Sequence, residues 1–377
     1  MIETGEIFYI KNPGFRYNLN QNNNLIGFNN GVYDLNNFEF RDGRPNDNIS
    51  FTTGYDYNPN YSENKDMLLK FLSDIQPNKD ELDYLLTFLS LCISSQTPEE
   101  LLHIFQGTSR NGKSALRDLL IATLGNYYDT IDSTVLTTKK TTSSGPSPEL
   151  ANLHGKRVVV ASEPQGDSKI NSGFMKLLTG NDPIPFRGMY KETVETFVPQ
   201  FKLILLCNDI PVMDKNDQGV WSRCRCINFP SRFVDDPKKP HEKKIDRNLK
   251  HKISEWKNDF MLILIEYYKK YLETGLKPTK TIMTVTDEYK KDSDIFAEYI
   301  DDRLCESDTH IFMKDLYENF EEWFINNYNS KKIPSRKEIL AGIKKYYDVK
   351  RTIRIKDITS SGIEKVSFKI IIDDKKI

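Results

Sequence analysis

One run of eight residues constrains this chain more than any other, because few folds can use it. The run is GTSRNGKS, and it lies between an apolar stretch at 101–105 and a helical pattern at 115–124. Its glycines allow a tight backbone turn, whose N–H groups can meet the charge of phosphates together with a helix N-terminus and a lysine ammonium. The run therefore predicts a P-loop that binds a nucleoside triphosphate and Mg²⁺. The residues expected to hold the nucleotide are Gly107, Asn111, Gly112, Lys113 and Ser114, with the Ser114 hydroxyl on Mg²⁺.

Composition narrows the class of protein. At 377 residues and 38% apolar content, the chain can bury a substantial core and has room for two or three domains. It shows neither a stretch near the roughly 20 apolar residues of a membrane span nor a signal peptide, so we expect an intracellular protein without a membrane partner. Five scattered cysteines suit a reducing compartment and predict neither a disulfide framework nor a zinc site. The net charge of −1 requires any positive surface for nucleic acid to be local.

The segments around the P-loop predict alternating strands and helices. The runs HIF, RVVVA and KLILLC are near-continuously apolar, which is typical of buried parallel strands. A β-hairpin at 26–40 and two helical patterns between 65 and 93 precede the P-loop, and a long amphipathic helix at 253–272 follows the last strand. The sequence therefore predicts an α/β core with a parallel sheet and a small helical lead-in.

The last hundred residues predict a separate module. Helical patterns at 295–304, 313–328 and 336–347 are followed by two alternating runs, VKRTIRI and EKVSFKIII. Helices followed by a hairpin are the plan of a winged-helix module, although basic residues interleaved with acids leave a structural cap as an alternative. We thus expect an N-terminal β-hairpin segment at 1–63, a helical lead-in at 64–98, a P-loop core at 99–235, a helical extension at 236–282 and a winged-helix-like domain at 283–377.

Two strand ends offer further catalytic residues. The run VVVASE ends in Glu163, where a strand beside the P-loop strand would end, and a carboxylate there can hold the Mg²⁺ shell and activate water. Asn208 directly follows the run LILLC, at the end of this strand, and its amide could sense the γ-phosphate and hold the attacking water. An ordinary strand-end acid and a turn-forming Asn-Asp pair remain as alternatives.

A third segment, WSRCRCINF, carries two arginines. Its alternation puts Arg223 and Arg225 on one face of a strand and two cysteines on the other, where the cysteines resemble small core residues. An arginine held rigidly after the Asn208 strand could cross a subunit boundary and neutralise charge on a neighbour's ATP. A plain surface ion pair for Arg223 is the alternative.

These motifs, in this order, resemble a known family. Five segments are similar to those of superfamily 3 helicases. They are the P-loop, the strand with Ser-Glu-Pro, the stretch KLLTGNDPIPFRGMYKETVETFVPQ, the strand ending CNDIP and the segment WSRCRCINFPSRF. More narrowly, they resemble the helicase portion of the primase-helicase NTPases of large cytoplasmic DNA viruses and of related phage and plasmid replication proteins. The lead-in segments FNNGVYDL, RDGRPNDNIS and TGYDYNP extend the resemblance from about residue 25 to 233.

The resemblance implies an AAA+-like fold that works as a hexameric ring with ATP and Mg²⁺ between subunits. It implies Lys113 and Ser114 as the Walker A pair, Glu163 as the Walker B acid and Mg²⁺ ligand, Asn208 as sensor 1 and Arg223 as the arginine finger. The segment at 185–199 corresponds to a pore hairpin, with Arg187 and Lys191 as DNA-binding cations near its turn. A solvated hairpin charge is the alternative for these two residues.

The chain departs from the family pattern at two points. Ser162 stands where many P-loop motors carry a second acid, which affects the Mg²⁺ shell, and the chain has no room for an N-terminal primase domain. We therefore expect no primer synthesis, a possible partnership with a separate primase, and a location in the host cytoplasm if the source is viral. A split gene product, a fragment and a stand-alone helicase all fit the sequence.

The function expected from the sequence is an ATP-dependent helicase that moves along single-stranded or forked DNA during replication. The alternatives are a P-loop small-molecule kinase, which would need neither Asn208 nor Arg223, and a non-motor initiator that binds DNA and holds a nucleotide as a structural ligand. Stimulation of ATP turnover by DNA distinguishes the motor from both.

Overall fold

The computed structural model describes residues 19–137, 147–162, 170–187, 194–208, 210–211, 213, 217–292, 295–328, 333–355 and 358–369. These residues form two compact units. The first contains the described residues up to 211 and from 217 to 287, and the second contains residue 213 and those from 288 onward. None of the helices in these ranges combines the length and apolar character that a membrane crossing requires.

The first unit begins with a small antiparallel sheet and two helices. The sheet is a three-stranded meander rather than the single hairpin that was predicted, and Asn78 caps the second helix by accepting hydrogen bonds from the backbone N–H groups of Asp80 and Glu81. Two helices were predicted here, and two are present. The elements are β1 (Leu25–Phe28), β2 (Gly31–Asp34), β3 (Glu39–Arg41), α1 (Lys65–Ile75) and α2 (Lys79–Ser90).

Strands and helices then alternate through the core of the first unit. Its elements are β4 (Leu102–Gln106), α3 (Lys113–Leu124), β5 (Tyr128–Ile131), α4 (Thr134–Thr137), α5 (Pro148–Ala151), β6 (Val158–Ala161), α6 (Ser172–Thr179), β7 (Ile184–Phe186), β8 (Glu195–Phe197), β9 (Lys202–Cys207), α7 (Gln218–Trp221), β10 (Cys224–Asn228), β11 (Arg232–Val234), β12 (Glu242–Lys244), α8 (Leu249–Thr274) and α9 (Lys280–Asp292).

Five of these strands form one parallel sheet in the order β10–β4–β9–β6–β5. In this register Leu102 lies opposite Cys224 and Leu203, so the strands begin at one edge of the sheet and end at the other. The mixed α/β fold with a parallel sheet was predicted and is confirmed. The expectation that the strand leading to Glu163 lies beside the P-loop strand is wrong, because β9 separates β6 from β4. All three strands are apolar runs, and such runs do not encode their order in a sheet.

The long helix α8 packs against α2 and α3 in the hydrophobic core of the first unit. The side chains predicted to line one face of this helix are all buried, and Trp256, Phe260 and Leu264 are each at most 2% exposed. Their spacing of about one turn directs them to the same side of the helix. This packing supports the sheet from the side on which α3 lies.

The second unit combines three helices with an antiparallel sheet in the order β13–β15–β14. Its core contains Tyr299, Phe320 and Trp323. The predicted helices are present, although the third ends at Ile343 rather than at 347, and the strand β13 was not predicted. The elements are α10 (Ile295–Arg303), β13 (Leu304–Phe312), α11 (Met313–Tyr328), α12 (Arg336–Ile343), β14 (Val349–Ile355) and β15 (Ile358–Phe368).

Candidate active site

The loop from Gly107 to Gly112 joins β4 to the start of α3 and needs glycine at both ends. Gly107 has φ +148° and Gly112 has φ +92°, which are backbone conformations that other residues rarely adopt. A Cβ on Gly107 would lie 2.4 Å from Nδ2 of Asn111, and one on Gly112 would lie 2.3 Å from Cγ2 of Ile75. Ile75 ends α1, so the helical lead-in packs directly against this loop.

Lys113 is the first residue of α3 and is only 7% exposed. Its backbone N–H donates to Oδ1 of Asn111 at 3.3 Å. Its ammonium donates to the carbonyl oxygen of Gly107 and to Oδ1 of Asn208 at 3.5 Å. The loop therefore curls around the lysine head group, which lies at the carboxyl edge of the parallel sheet.

Asn208 reaches this edge because its strand, β9, pairs directly with the P-loop strand β4. Cys207, the last residue of β9, lies opposite Gln106, the last residue of β4. The two strands therefore end side by side, and Asn208, which follows β9, can contact Lys113. Ser114 follows Lys113 on α3 and is exposed.

Asn111 is the most enclosed polar side chain of the loop, at 3% exposure. Its Nδ2 has no hydrogen-bond partner within the described part of the chain, although its Oδ1 accepts from Lys113. An unsatisfied buried donor costs about 1–3 kcal/mol, so this group would gain from an added acceptor.

Arg223 lies at the opposite edge of the sheet. It immediately precedes β10, whose first residue pairs with the first residue of β4, so roughly 16 Å of strand separates it from the loop of the same chain. Its Nη2 forms an ion pair with Oε2 of Glu100 at 2.6 Å. This hydrogen bond lowers the pKa of the Glu100 carboxyl. The structure thus brings Lys113 and Asn208 together and keeps Arg223 away from them.

The residues around Arg223 follow the predicted alternation. Cys224 and Cys226 are 0% exposed, whereas Arg225 is half-buried. Burial raises the pKa of both thiols, and that of Cys226 reaches about 12. These cysteines are therefore neutral core side chains.

The predicted hairpin is present as β7 and β8, with Ile184 opposite Phe197 and Phe186 opposite Glu195. Arg187 directly follows β7, and its carbonyl oxygen accepts from the N–H of Ser147 at 2.9 Å. Arg187 is therefore the first residue of the segment that connects β7 to β8, on the turn side of the last pair, Phe186 and Glu195. Lys191 and Glu163 lie outside the described residues.

Two buried cations were not anticipated from the sequence. Arg157 donates to the carbonyl oxygens of Ile93 and Leu25, and Lys202 donates to that of Ser94. Burial lowers the pKa of Arg157 and lowers the pKa of Lys202 to about 7. Arg157 directly precedes the apolar strand β6, and Lys202 is the first residue of the apolar strand β9, and these positions were the available signal.

Family comparisons place the chain among viral proteins. A family described as "D5 N terminal like" matches residues 15–77, and a family of unknown function matches residues 105–224. A protein of Acanthamoeba polyphaga mimivirus named as a candidate helicase is 40% identical over 352 residues, which are 89% of this chain and 36% of that protein. Primase D5 of fowlpox virus (strain NVSL) is 30% identical over 286 residues, which are 70% of this chain and 35% of that protein.

A further viral protein and one solved structure are also similar to this chain. A candidate helicase of Invertebrate iridescent virus 3 is 26% identical over 92% of this chain and 40% of that protein. The apo structure of the NrS-1 C-terminal region has a TM-score of 0.43 and 13% identity, and the match covers 80% of this chain and 75% of that chain. The chain spans between a third and two fifths of the length of these viral relatives. The resemblance drawn from the sequence is confirmed, and the chain is related to the D5-like primase-helicases of large DNA viruses.

Proposed function

We propose that this chain is an ATP-hydrolysing ring motor that moves along single-stranded DNA and unwinds duplex during viral DNA replication. The observation that carries the proposal is the loop at the end of β4, where the Lys113 ammonium lies 3.5 Å from Oδ1 of Asn208. A buried lysine at a helix N-terminus, next to a strand-end amide, is suited to a bound triphosphate. The viral relatives are named as helicases, and these names are the reason to propose helicase activity for this chain.

The residues of the loop fit ATP and Mg²⁺. Nδ2 of Asn111 is a buried donor without an acceptor among the described residues, and the N-terminus of α3 carries a partial positive charge. Lys113 would bind the β- and γ-phosphates, and the hydroxyl of Ser114 would be a ligand of Mg²⁺. When bound, Mg²⁺ neutralises charge on the phosphate oxygens.

Hydrolysis requires an oriented water and a group that responds to the γ-phosphate. We assign the first role to Glu163, which follows β6 by two residues in the sequence, and the second to Asn208. Since β9 lies between β4 and β6, Asn208 is between the loop and the strand that leads to Glu163. An amide in this position can contact both the nucleotide and the water.

The position of Arg223 supports an assembly of several subunits. In a head-to-tail ring, one edge of each subunit faces a different edge of its neighbour. An arginine that acts on the neighbour's ATP must then lie away from the loop of its own chain, as Arg223 does. A hexameric, AAA+-like ring of this kind is part of the proposal.

The DNA contacts of the proposal lie on the β7–β8 hairpin. Arg187 and Lys191 would follow the phosphates of single-stranded or forked DNA without reading sequence. The described part of the C-terminal unit has a helix, the strand β13, two further helices and the strands β14 and β15 of the same sheet, which fits a winged-helix-like module that supports the ring. A separate primase and a replication site in the host cytoplasm complete the proposal.

The experiment is an ATPase assay with and without single-stranded DNA, together with native mass measurement with and without an ATP analogue. Wild-type protein should hydrolyse ATP faster with DNA and form rings. Lys113→Ala should bind nucleotide poorly and lose turnover, whereas Glu163→Gln should bind ATP and fail to hydrolyse it. Lys70→Ala changes a lysine that is 73% exposed on α1 and is the control. ATP turnover that DNA does not change would contradict the motor.

A further inference from the structure

We infer that Glu100 is a positioning residue for Arg223, and that it holds the guanidinium in the orientation from which it reaches the neighbouring subunit. The inference rests on the proposed function, because that function assigns Arg223 to a neighbour's nucleotide. Glu100 precedes β4 at the sheet edge opposite the P-loop, and its Oε2 accepts from Nη2 of Arg223 at 2.6 Å.

The Glu100 carboxylate is itself fixed from a second side. Its Oε1 accepts from Nδ2 of Asn181 at 2.9 Å, and Oδ1 of Asn181 accepts from the hydroxyl of Thr97 at 2.6 Å. Asn181 follows α6, whereas Thr97 and Glu100 belong to the segment that enters β4. The carboxylate therefore joins three separate parts of the first unit at one point.

The backbone around the pair is also constrained. Glu100 has φ +51°, which is uncommon for a residue with a side chain, and its N–H donates to the carbonyl oxygen of Thr97 at 3.3 Å. The carbonyl oxygen of Arg223 accepts from the N–H of Leu102 at 2.8 Å. The backbones of both partners are thus held by hydrogen bonds at the start of the strand β4.

The contribution of the pair is to orientation rather than to stability. The side chains of Arg223 and Glu100 are 26% and 34% exposed, and ion pairs in such surroundings contribute little to stability. A free arginine side chain, by contrast, has considerable rotamer entropy. An arginine that is already held loses less of this entropy when it meets a phosphate.

The geometry leaves the arginine able to act. A guanidinium has five N–H donors in one plane, and the bond to Glu100 involves the Nη2 end. Arg223 can keep this bond and direct other N–H groups to an anion across the subunit boundary. Glu100 then also fixes the plane of the Arg223 guanidinium, and with it the direction from which the anion can be bound.

The test compares Glu100→Ala, Glu100→Gln and Glu100→Asp with wild type in the DNA-stimulated ATPase assay. Glu100→Ala should lower kcat about tenfold while KM for ATP changes by less than about twofold, because the arginine acts on the transition state. Glu100→Gln keeps an acceptor without the charge and should lie between. Glu100→Asp should retain more activity than Glu100→Ala. The control is Glu364→Gln, whose side chain is 36% exposed and pairs with Lys350 in the second unit.

Mixing variants separates positioning from a folding defect. A ring that contains both Glu100→Ala and Lys113→Ala has interfaces that combine an intact P-loop with an intact Glu100–Arg223 pair, so activity should recover above the sum of the separate variants. A subunit with a general folding defect would not be rescued in this way. Equal thermal unfolding of Glu100→Ala and wild type would support the same conclusion.

The possible results distinguish the in-trans role of Arg223 from the positioning role of Glu100. Full activity of Arg223→Ala would overturn the proposed in-trans role itself. Loss of activity in Arg223→Ala with unchanged kcat in Glu100→Ala would overturn the positioning role alone. A higher kcat in Glu100→Ala would show that Glu100 restrains the arginine instead of presenting it, and this result would also overturn the inference.

Discussion

Oδ1 of Asn208 lies 3.5 Å from the ammonium of Lys113, across the boundary between two neighbouring parallel strands. The contact links the end of β9 to the start of α3, so a change at one side chain is felt directly by the other. If the lysine moves toward a bound phosphate, the amide loses or reorients this bond. Under the proposed function, the pair is placed to report the presence of nucleotide.

Asn208→Ala should retain nucleotide binding and lose hydrolysis. Removing a single preorganised donor from a catalytic site lowers kcat by about 10²–10³ in well-studied cases, and we expect a loss in this range. The measurement is kcat for ATP together with the Kd of a fluorescent ATP analogue. Asn58→Ala, which removes an amide whose Oδ1 accepts from the N–H of Asn60, is the control. A large loss of analogue binding in Asn208→Ala would show that the residue binds ATP instead of sensing it.

Gly112→Ala should damage the P-loop without any change of charge. The new methyl group would lie 2.3 Å from Cγ2 of Ile75, in a backbone conformation with φ +92° that alanine rarely adopts. We expect weaker ATP-analogue binding and a lower Tm. Gly54→Ala is the matched control for the positive φ alone, because Gly54 has φ +82° and a Cβ there would have no neighbour within 4 Å. If both variants bind the analogue equally, packing of α1 against the loop is not required.

Lys202 should make stability depend on pH. Burial lowers its pKa to about 7 in the folded protein, so between pH 7 and its ordinary pKa near 10.5 the folded state binds fewer protons than the unfolded state. The contribution of this group to stability therefore rises with pH across that window, by at most about 1.4 kcal/mol per pH unit.

Thermal unfolding between pH 6.5 and 9 checks this effect. The difference in Tm between wild type and Lys202→Met should change with pH, and wild type should gain relative to the variant as pH rises. Lys70→Met alters a side chain that is 73% exposed and is the control. A Tm difference that is constant over this range would show that Lys202 keeps one protonation state throughout.

Lys191→Ala combined with Arg187→Ala should separate ATP chemistry from movement on DNA. We expect basal ATPase to persist while DNA stimulation and unwinding are lost, since cations that contact phosphates release counterions on binding. Binding of single-stranded DNA should also show a shallower dependence on salt. The single Arg187→Ala variant should have the smaller effect, because Arg187 directly follows Phe186, the residue opposite Glu195, and that carboxylate can hold the guanidinium in place of DNA. Undiminished stimulation of the double variant would place the DNA track elsewhere.

The loop from Gly107 to Gly112 and its place between a strand and a helix could be predicted from the sequence, because the pattern is contiguous and the elements beside it are recognisable. The order of β4, β9 and β6 could not, since each strand is an apolar run and the pairing is decided by long-range packing. The strand β13 was missed because its polar residues weaken the alternation of LCESDTHIF, and it becomes a strand by pairing with β15.

The residues of the candidate site were likewise predicted only in part. Asn208 and Lys113 were both identified, because each follows or begins a recognisable element. The ion pair of Arg223 with Glu100 was foreseen only as a general alternative, because the partners are 123 residues apart. Burial of Arg157 and Lys202 runs against the usual exposure of basic residues, and only their positions at the starts of apolar strands indicated it.

The two buried cations determine how far the chain can be shortened. The carbonyl oxygens that receive them belong to Leu25, Ile93 and Ser94, all of which precede β4. A chain that started at residue 99 would keep both cations and lose all three acceptors. The segments before β4 therefore satisfy hydrogen-bond donors at the starts of β6 and β9, and a chain without these segments is expected to have a lower Tm.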